Sequence, residues 1–383
     1  MSESRRLLVI GAGPAGVSTA IRLKEHGFAP KLVERQRFPR DKVCGCCLNN
    51  AALTSLARIK CDQVLSRLTT HSLNRWELCL GKKRIEAPLP GGIAISRSAM
   101  DLALTEEAAR RGVEVVYECE ARVLDVRDDG VAVSLRGANS SVQEFDFDGV
   151  VFAAGLQGGG VSQWLPYLNE PTGPVGVGMI VDSLDHVVPQ TIHMIAGSSG
   201  YVGLVQLEDG RVDMAAAIRR LETEDGGLNR ARIAQRIDEL LCDAGFPETA
   251  QAHVGELRMT PPLTRKRLPG SGALLAVGDA AAYIEPFTGE GMAWAIESGI
   301  EAADCIASHF RSAASPLIAG AESTIAEAWI RRSGELARQR HWICRSLSTA
   351  LASPTIAKCV IPMAKLAPWA VRMTIGQLNQ QRN

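Results

Sequence analysis

Three glycines in the spacing Gly11-x-Gly13-x-x-Gly16 are the first residues of this chain whose arrangement implies chemistry. Gly11 permits a tight turn, Gly13 lets a diphosphate approach the backbone, and Gly16 allows a helix to lie close on a strand. A helix opening at Pro14 and Ala15 would turn unpaired N–H groups and its positive dipole end toward an anion. Glu34 follows about twenty residues on, where a carboxylate accepts hydrogen bonds from a ribose diol, with Arg35 beside it. This turn predicts dinucleotide binding without choosing the dinucleotide.

A second stretch, GDAAAYIEPFTGEGM, makes the choice. An apolar run delivers Gly278 and Asp279 at its end, and Pro286, Gly289, Glu290, Gly291 and Met292 lead into a helical pattern. Asp279 can reach a ribityl hydroxyl or bridge to a diphosphate through water. The helix's first N–H groups can meet a flavin's N1–C2=O edge, where negative charge develops on reduction. No second Gly-x-Gly-x-x-Gly follows a strand, since Gly158, Gly159 and Gly160 sit in a loop sequence. Reduced nicotinamide would therefore bind only transiently, or electrons would come from another donor.

These residues need elements to hold them. The run 6–10, the Gly-rich turn, an apolar stripe of Val17, Ala20, Ile21 and Leu23, and the run 31–34 read as a βαβ unit. Residues 98–112 read as a helix, 123–147 as a β-meander, and 149–154 as a buried strand. From 173 to 255 the texture changes to strands at 175–181, 190–195, 201–207 and 211–217, with Pro174 just ahead of the first and a helix at 229–242. The expected fold is α/β (α+β overall). A Rossmann-like FAD-binding domain with its meander would comprise 1–65, 97–165 and 258–315. An inserted antiparallel-sheet substrate domain would comprise 66–96 and 166–257, and a C-terminal helical region 316–383.

The sequence resembles the flavoprotein superfamily of p-hydroxybenzoate hydroxylase fold, and within it the geranylgeranyl reductases and related flavin dehydrogenases. VIGAGPAG with Glu34, KVCG at 42–45, ISRSAMD at 95–101, VVFAAG at 150–155 and GDAAAYIEPFTGEG carry the likeness. It implies non-covalent FAD, with Lys42, Cys44 and Gly45 on a loop running toward the isoalloxazine. It further implies Arg97 at the diphosphate or ribose, and Gly155 near the adenosine end. Where prenyl reductases carry Tyr-x-Trp-x-Phe-Pro, this chain has Tyr201-Val-Gly-Leu-Val-Gln, and no Trp-x-Trp-x-Ile-Pro of the halogenases occurs.

Cys44, Cys46 and Cys47 leave two readings open. They are small apolar residues packing a turn, or at least one acts chemically near the flavin, Cys44 and Cys47 being the candidates. No second Cys/His pair has zinc spacing, so no metal is expected. Tyr201, His193 and Trp294 are candidates for the substrate pocket, and each is equally a core residue. No acid–base pair stands out, which suits chemistry carried by a flavin.

Lys+Arg and Asp+Glu are equal at 42 each in 383 residues, so no basic excess points to a nucleic-acid partner. The ten cysteines are scattered and no secretory signal precedes them, which predicts a cytoplasmic protein. Lys358, Lys365 and Arg372 recur every seven residues among apolar ones interrupted by Pro362 and Pro368. That tail suits packing over a greasy pocket or peripheral contact with a membrane. The expected activity is dehydrogenation or reduction of a hydrophobic small molecule by FAD. Aromatic monooxygenation is the alternative within the fold, and a non-catalytic flavin/thiol redox sensor the alternative outside enzymes.

Overall fold

The computed structural model describes residues 5–158, 160–219, 229–247, 249–283, 290–313 and 324–352, without the side chains of 339–352. The first apolar run forms the strand Leu7–Ile10, buried along its whole length as a central parallel strand must be. It pairs in parallel with Lys31–Val33 and Gly149–Phe152. Glu114–Val116 extends the sheet on one side, Leu274–Ala276 and Gly270–Ser271 on the other. Only the last pairing is antiparallel.

One face of this sheet is covered by the helices Pro14–Glu25 and Glu290–Ala313. Thr19 ties them together, its hydroxyl bonding the carbonyl of Gly299 at 3.1 Å. The indole of Trp329 in the helix Ile325–Ala352 donates to the Ala276 carbonyl, 2.9 Å away. The other face carries the meander Glu120–Val126, Val131–Arg136 and Val142–Phe147. Each of the three runs read from alternating hydrophobicity is a strand, extended by a few polar residues.

A seven-stranded sheet stands against this layer, in the order Arg258–Thr264, Thr172–Val181, Val212–Ile218, Gly200–Gln206, Thr191–Gly197, Arg75–Leu80 and Lys83–Pro88. It corrects three expectations. The sheet is not wholly antiparallel, because Thr191–Gly197 runs parallel to Arg75–Leu80. Residues 258–264, placed by sequence with the FAD-binding part, form its edge strand. Pro261 and Pro262 hide that strand from a pattern reading, and an edge strand tolerates them where its register toward the one neighbouring strand shifts. Pro174 lies inside Thr172–Val181, where the register toward the edge strand shifts between Thr172 and Val175.

Alternation gives this sheet two different faces. His193, Leu204 and Met214 share the face covered by the helix Arg230–Asp243, whose first turn Asn229 caps with its side chain. Gly178, Ala215, Gly203 and Met194 form a row on the opposite face, toward the parallel sheet. A short sheet of Cys47–Asn49, Gly92–Ala94 and His71–Ser72 lies between the two layers' loops. Among the described residues no helix is long and apolar enough to cross a membrane. Pro286, Gly289 and the tail with Lys358, Lys365 and Arg372 lie outside the described residues.

Candidate functional site

The carboxyl ends of the parallel strands open onto a cavity of about 540 Å³, whose far wall is the inner face of the seven-stranded sheet. Ligands in open α/β sheets bind at such strand ends. Gly11, Gly13, Pro14 and Ala15 bring the Gly-rich turn to the cavity, with Glu34 and Arg35 from the end of the next strand. Lys42, Cys44, Gly45 and Cys47 enter from the following loop, Arg97 from the start of the helix Arg97–Arg110, and Gly155 from beyond Phe152. Asp279, Gly291 and Met292 close the near side, and Tyr201 reaches in from the far wall.

The remaining predicted residues among those described do not line it. Gly16 sits behind the turn, where a Cβ would collide with the Gly11 carbonyl. Gly278 packs against Ala15, and buried Glu290 accepts a 2.8 Å bond from the Asn49 amide. Trp294 is a core residue whose indole N–H bonds the Ala282 carbonyl at 3.1 Å. His193 is on the wrong face for the pocket, because strand alternation turns it toward the helix Arg230–Asp243. Its ring bridges the Glu77 carboxylate at 2.6 Å and the Val188 N–H at 3.0 Å, and it packs edge-on against Phe246. His193→Gln should therefore cost about 1–3 kcal/mol of stability, read by urea unfolding, while turnover of the folded enzyme stays within about twofold. A selective loss of turnover would restore His193 to the pocket.

Cations crowd the Gly-rich turn. Arg97 makes a two-point bond to Asp101, one helical turn on, at 2.9 and 2.8 Å. Arg40 lies 3.3 Å from Asp101 and 3.4 Å from Glu34, with its ring-like guanidinium plane over Phe38. Its buried Nε has no hydrogen-bond partner among the described residues. Glu34 itself accepts from the Ala12 and Gln36 N–H groups, 3.0 Å each. Glu208 holds the start of the Arg97 helix by accepting from the Ser96 N–H at 2.8 Å. Sequence reading missed Arg40 and Asp101, although Asp101 stands at i+4 from Arg97, the spacing at which helical side chains meet.

Cys44 and Cys47 line the cavity, and Cys46 is buried beside them in the same apolar cluster. The Cys46 thiol draws Cys44 down to about 6 against the opposing effect of burial, and Arg97 adds to the shift. Burial pushes Cys47 well above the usual thiol range. The cysteines with described side chains are all free thiols. Asp279 is raised to about 7 by burial and by the neighbouring Cys44, with Arg97, Lys42 and Arg265 opposing.

The sequence profile of the FAD binding domain family matches residues 5–328. The chain belongs to this family. It is an FAD-dependent oxidoreductase. It is 25% identical to the menaquinone reductase of Mycolicibacterium smegmatis over 98% of this chain and 91% of that one. It is 26% identical to digeranylgeranylglycerophospholipid reductase 2 of Methanothermobacter thermautotrophicus over 76% and 74% of the two chains. The p-nitrophenol 4-monooxygenase of Pseudomonas putida shares the fold with a TM-score of 0.75 at 15% identity, covering 99% of this chain and all of that one. The likeness to the hydroxylase fold and to prenyl reductases holds at the level of family and fold.

The residues present fit FAD. A Cβ on Gly13 would meet only the Arg97 guanidinium, at 3.7 Å, so the turn is open to a ligand exactly where charge is waiting. Arg40 and the half-buried Lys42 supply further positive charge at the same end. Burial draws Lys42 down to about 8, with Arg40 and Arg97 adding and Glu34 opposing. A bound diphosphate would favour the protonated amine and lift that value. FAD affinity should thus be complete below about pH 8 and fall roughly tenfold as the pH rises to about 9.5. Lys42→Met should bind FAD more weakly at neutral pH and lack that slope; equal slopes would remove Lys42 from the diphosphate site.

Proposed function

We propose that this protein reduces a carbon–carbon double bond in a polyisoprenoid lipid. The observation that carries the reading is the row Ala215, Gly203 and Met194, an apolar wall lining the cavity opposite the Gly-rich turn. The relatives named for menaquinone and for digeranylgeranylglycerophospholipid support it, since an isoprenoid chain is what those two compounds have in common. A flat apolar face lined by small residues accommodates a branched hydrocarbon without demanding polar groups from it.

In this reading FAD, reduced by a nicotinamide that binds transiently or by another external donor, supplies the hydride. The chain's own residues bind, orient and exclude water. Gly11, Gly13 and the Pro14–Glu25 helix hold the diphosphate with Arg97 and Lys42, and Glu34 takes the ribose. Gly178 lets the 42–45 loop come close, because a Cβ there would meet Val43 Cα at 3.1 Å. That approach sets Cys44 against the sheet. A lipid substrate also brings peripheral membrane contact into the proposal, with Lys358, Lys365 and Arg372 as the residues to vary in liposome flotation.

Product analysis tests it. The FAD-loaded protein, reduced and kept without oxygen, should convert a menaquinone or a geranylgeranyl lipid into a product heavier by two hydrogens. Oxygen-18 in the product of an aerobic reaction, with no turnover in its absence, would overturn the proposal in favour of monooxygenation.

A further inference from the structure

We propose that Glu208, on the seven-stranded sheet, is a positioning residue that sets the Arg97 guanidinium at the Gly-rich turn and so helps to hold FAD. Arg97 opens the helix Arg97–Arg110, and Ser96 is its cap. Both polar groups of that cap go to one carboxylate. The Ser96 N–H donates to Glu208 Oε2 at 2.8 Å, and the Ser96 hydroxyl donates to Glu208 Oε1. Ser96 is buried, so a lost bond there is not simply replaced by water. Glu208 stands 112 positions further along the chain, on the turn between the strands Gly200–Gln206 and Val212–Ile218.

The directions of these bonds follow from counting. A serine hydroxyl has one hydrogen and two lone pairs. Ser96 Oγ accepts from the Ala99 N–H at 3.2 Å and from the Ser98 hydroxyl at 3.1 Å, which leaves its own hydrogen for Glu208. The Ala99 N–H is one of the donors that a helix start leaves without a partner inside the helix. Glu208 thus orients the hydroxyl that caps the helix. Its carboxylate also lies at the positive end of the helix dipole.

Both ends of this link are stiff. Leu207, next to Glu208, is fully buried and clusters with Leu73 and with Ala94, two residues ahead of the cap. Its N–H donates to the Arg211 carbonyl at 2.8 Å, which closes the turn, and Arg211 pairs with Asp209 at 2.7 Å. On the helix, the two-point bond from Arg97 to Asp101 makes the guanidinium move as one body with the first turn. The Ile95 N–H, bonded to the Cys46 carbonyl at 3.0 Å, fixes the chain just before the cap. Glu208 fixes the cap itself.

The consequence reaches the cofactor because Arg97 is the residue that a Cβ on Gly13 would meet, at 3.7 Å. A first turn that tilts or frays carries the guanidinium away from the place where a diphosphate would lie. The strands that bring Glu208 to the cap are those of Gly203 and Ala215, so the sheet facing the substrate also supports the cofactor's anchor. This inference concerns FAD binding alone and holds whatever the flavin reduces.

The test is a double-mutant cycle on the FAD dissociation constant, read from flavin fluorescence as the FAD-loaded full chain is diluted. Glu208→Ala should weaken FAD about tenfold. Glu208→Gln, which keeps an acceptor for the Ser96 N–H, should recover most of that loss. In the Lys42→Met background Glu208→Ala should again cost about tenfold, because Lys42 sits on another loop. In the Arg97→Met/Asp101→Leu background, where both members of the buried pair are gone, it should cost nothing further. Urea midpoints separate stability from binding, since the loss of the cap should lower them by the same amount in every background. Wild-type FAD affinity in Glu208→Ala would overturn the proposal. A tenfold loss that persists without Arg97 would overturn it too, by making Glu208 a structural residue only.

Discussion

Arg97→Met should strip the protein of its cofactor and unsettle its fold at once. The guanidinium stands beside Gly13 and is the near neighbour that a Cβ there would meet. Losing a charge-assisted contact to a diphosphate removes about 1.5–3 kcal/mol of binding, so FAD affinity should fall roughly tenfold to a hundredfold. The same change leaves Asp101, 1% exposed at its side chain, with only the looser pairing to Arg40. Breaking a buried ion pair from one side costs about 3 kcal/mol. The two effects separate in the double variant Arg97→Met/Asp101→Leu, because replacing both members of a buried pair by apolar groups is close to neutral. It should recover most of the urea midpoint and none of the FAD affinity. A double variant that regains FAD would show Arg97 to be a structural residue only.

Ala215→Phe should do the reverse: keep FAD and lose the lipid. Ala215 lies between Gly178 and Gly203 on the cavity wall, at the centre of the small-residue row. A phenyl ring there occupies the space in front of the sheet and leaves the diphosphate end untouched. Forfeiting the burial of two or three isoprenoid methylenes and methyls costs about 2–3 kcal/mol, so kcat/KM for a geranylgeranyl lipid should fall about a hundredfold. FAD content and reduction of the flavin by dithionite should be unchanged. Equal kcat/KM in the variant and the wild type would move the substrate to another surface.

Much of this was legible in the sequence, for a physical reason. The FAD turn is built from backbone requirements, and a glycine that must sit where a Cβ would collide with its neighbour leaves a fixed spacing behind. The meander and the parallel strands were legible because alternation and continuous burial are local patterns. The packing of the three thiols on the sheet face that carries Asp213 was not. Cys44 and Cys46 come to that face across some 170 positions, through a sheet register that no local pattern encodes. The one signal was a single carboxylate in the run VDMAAAI, where a charge has no water to face. His193 was misplaced for the same reason, since a shift of one residue along a strand exchanges cavity for core. The edge strand 258–264 was hidden by its own prolines.

The most direct measurement is anaerobic reoxidation of the reduced FAD-loaded protein, followed by flavin absorbance. Mixing with a polyisoprenoid lipid in detergent should restore the oxidised spectrum in a single exponential whose rate saturates with lipid concentration. Detergent alone should leave the flavin reduced. A flavin that stays reduced until oxygen is admitted, whatever lipid is present, would contradict the account.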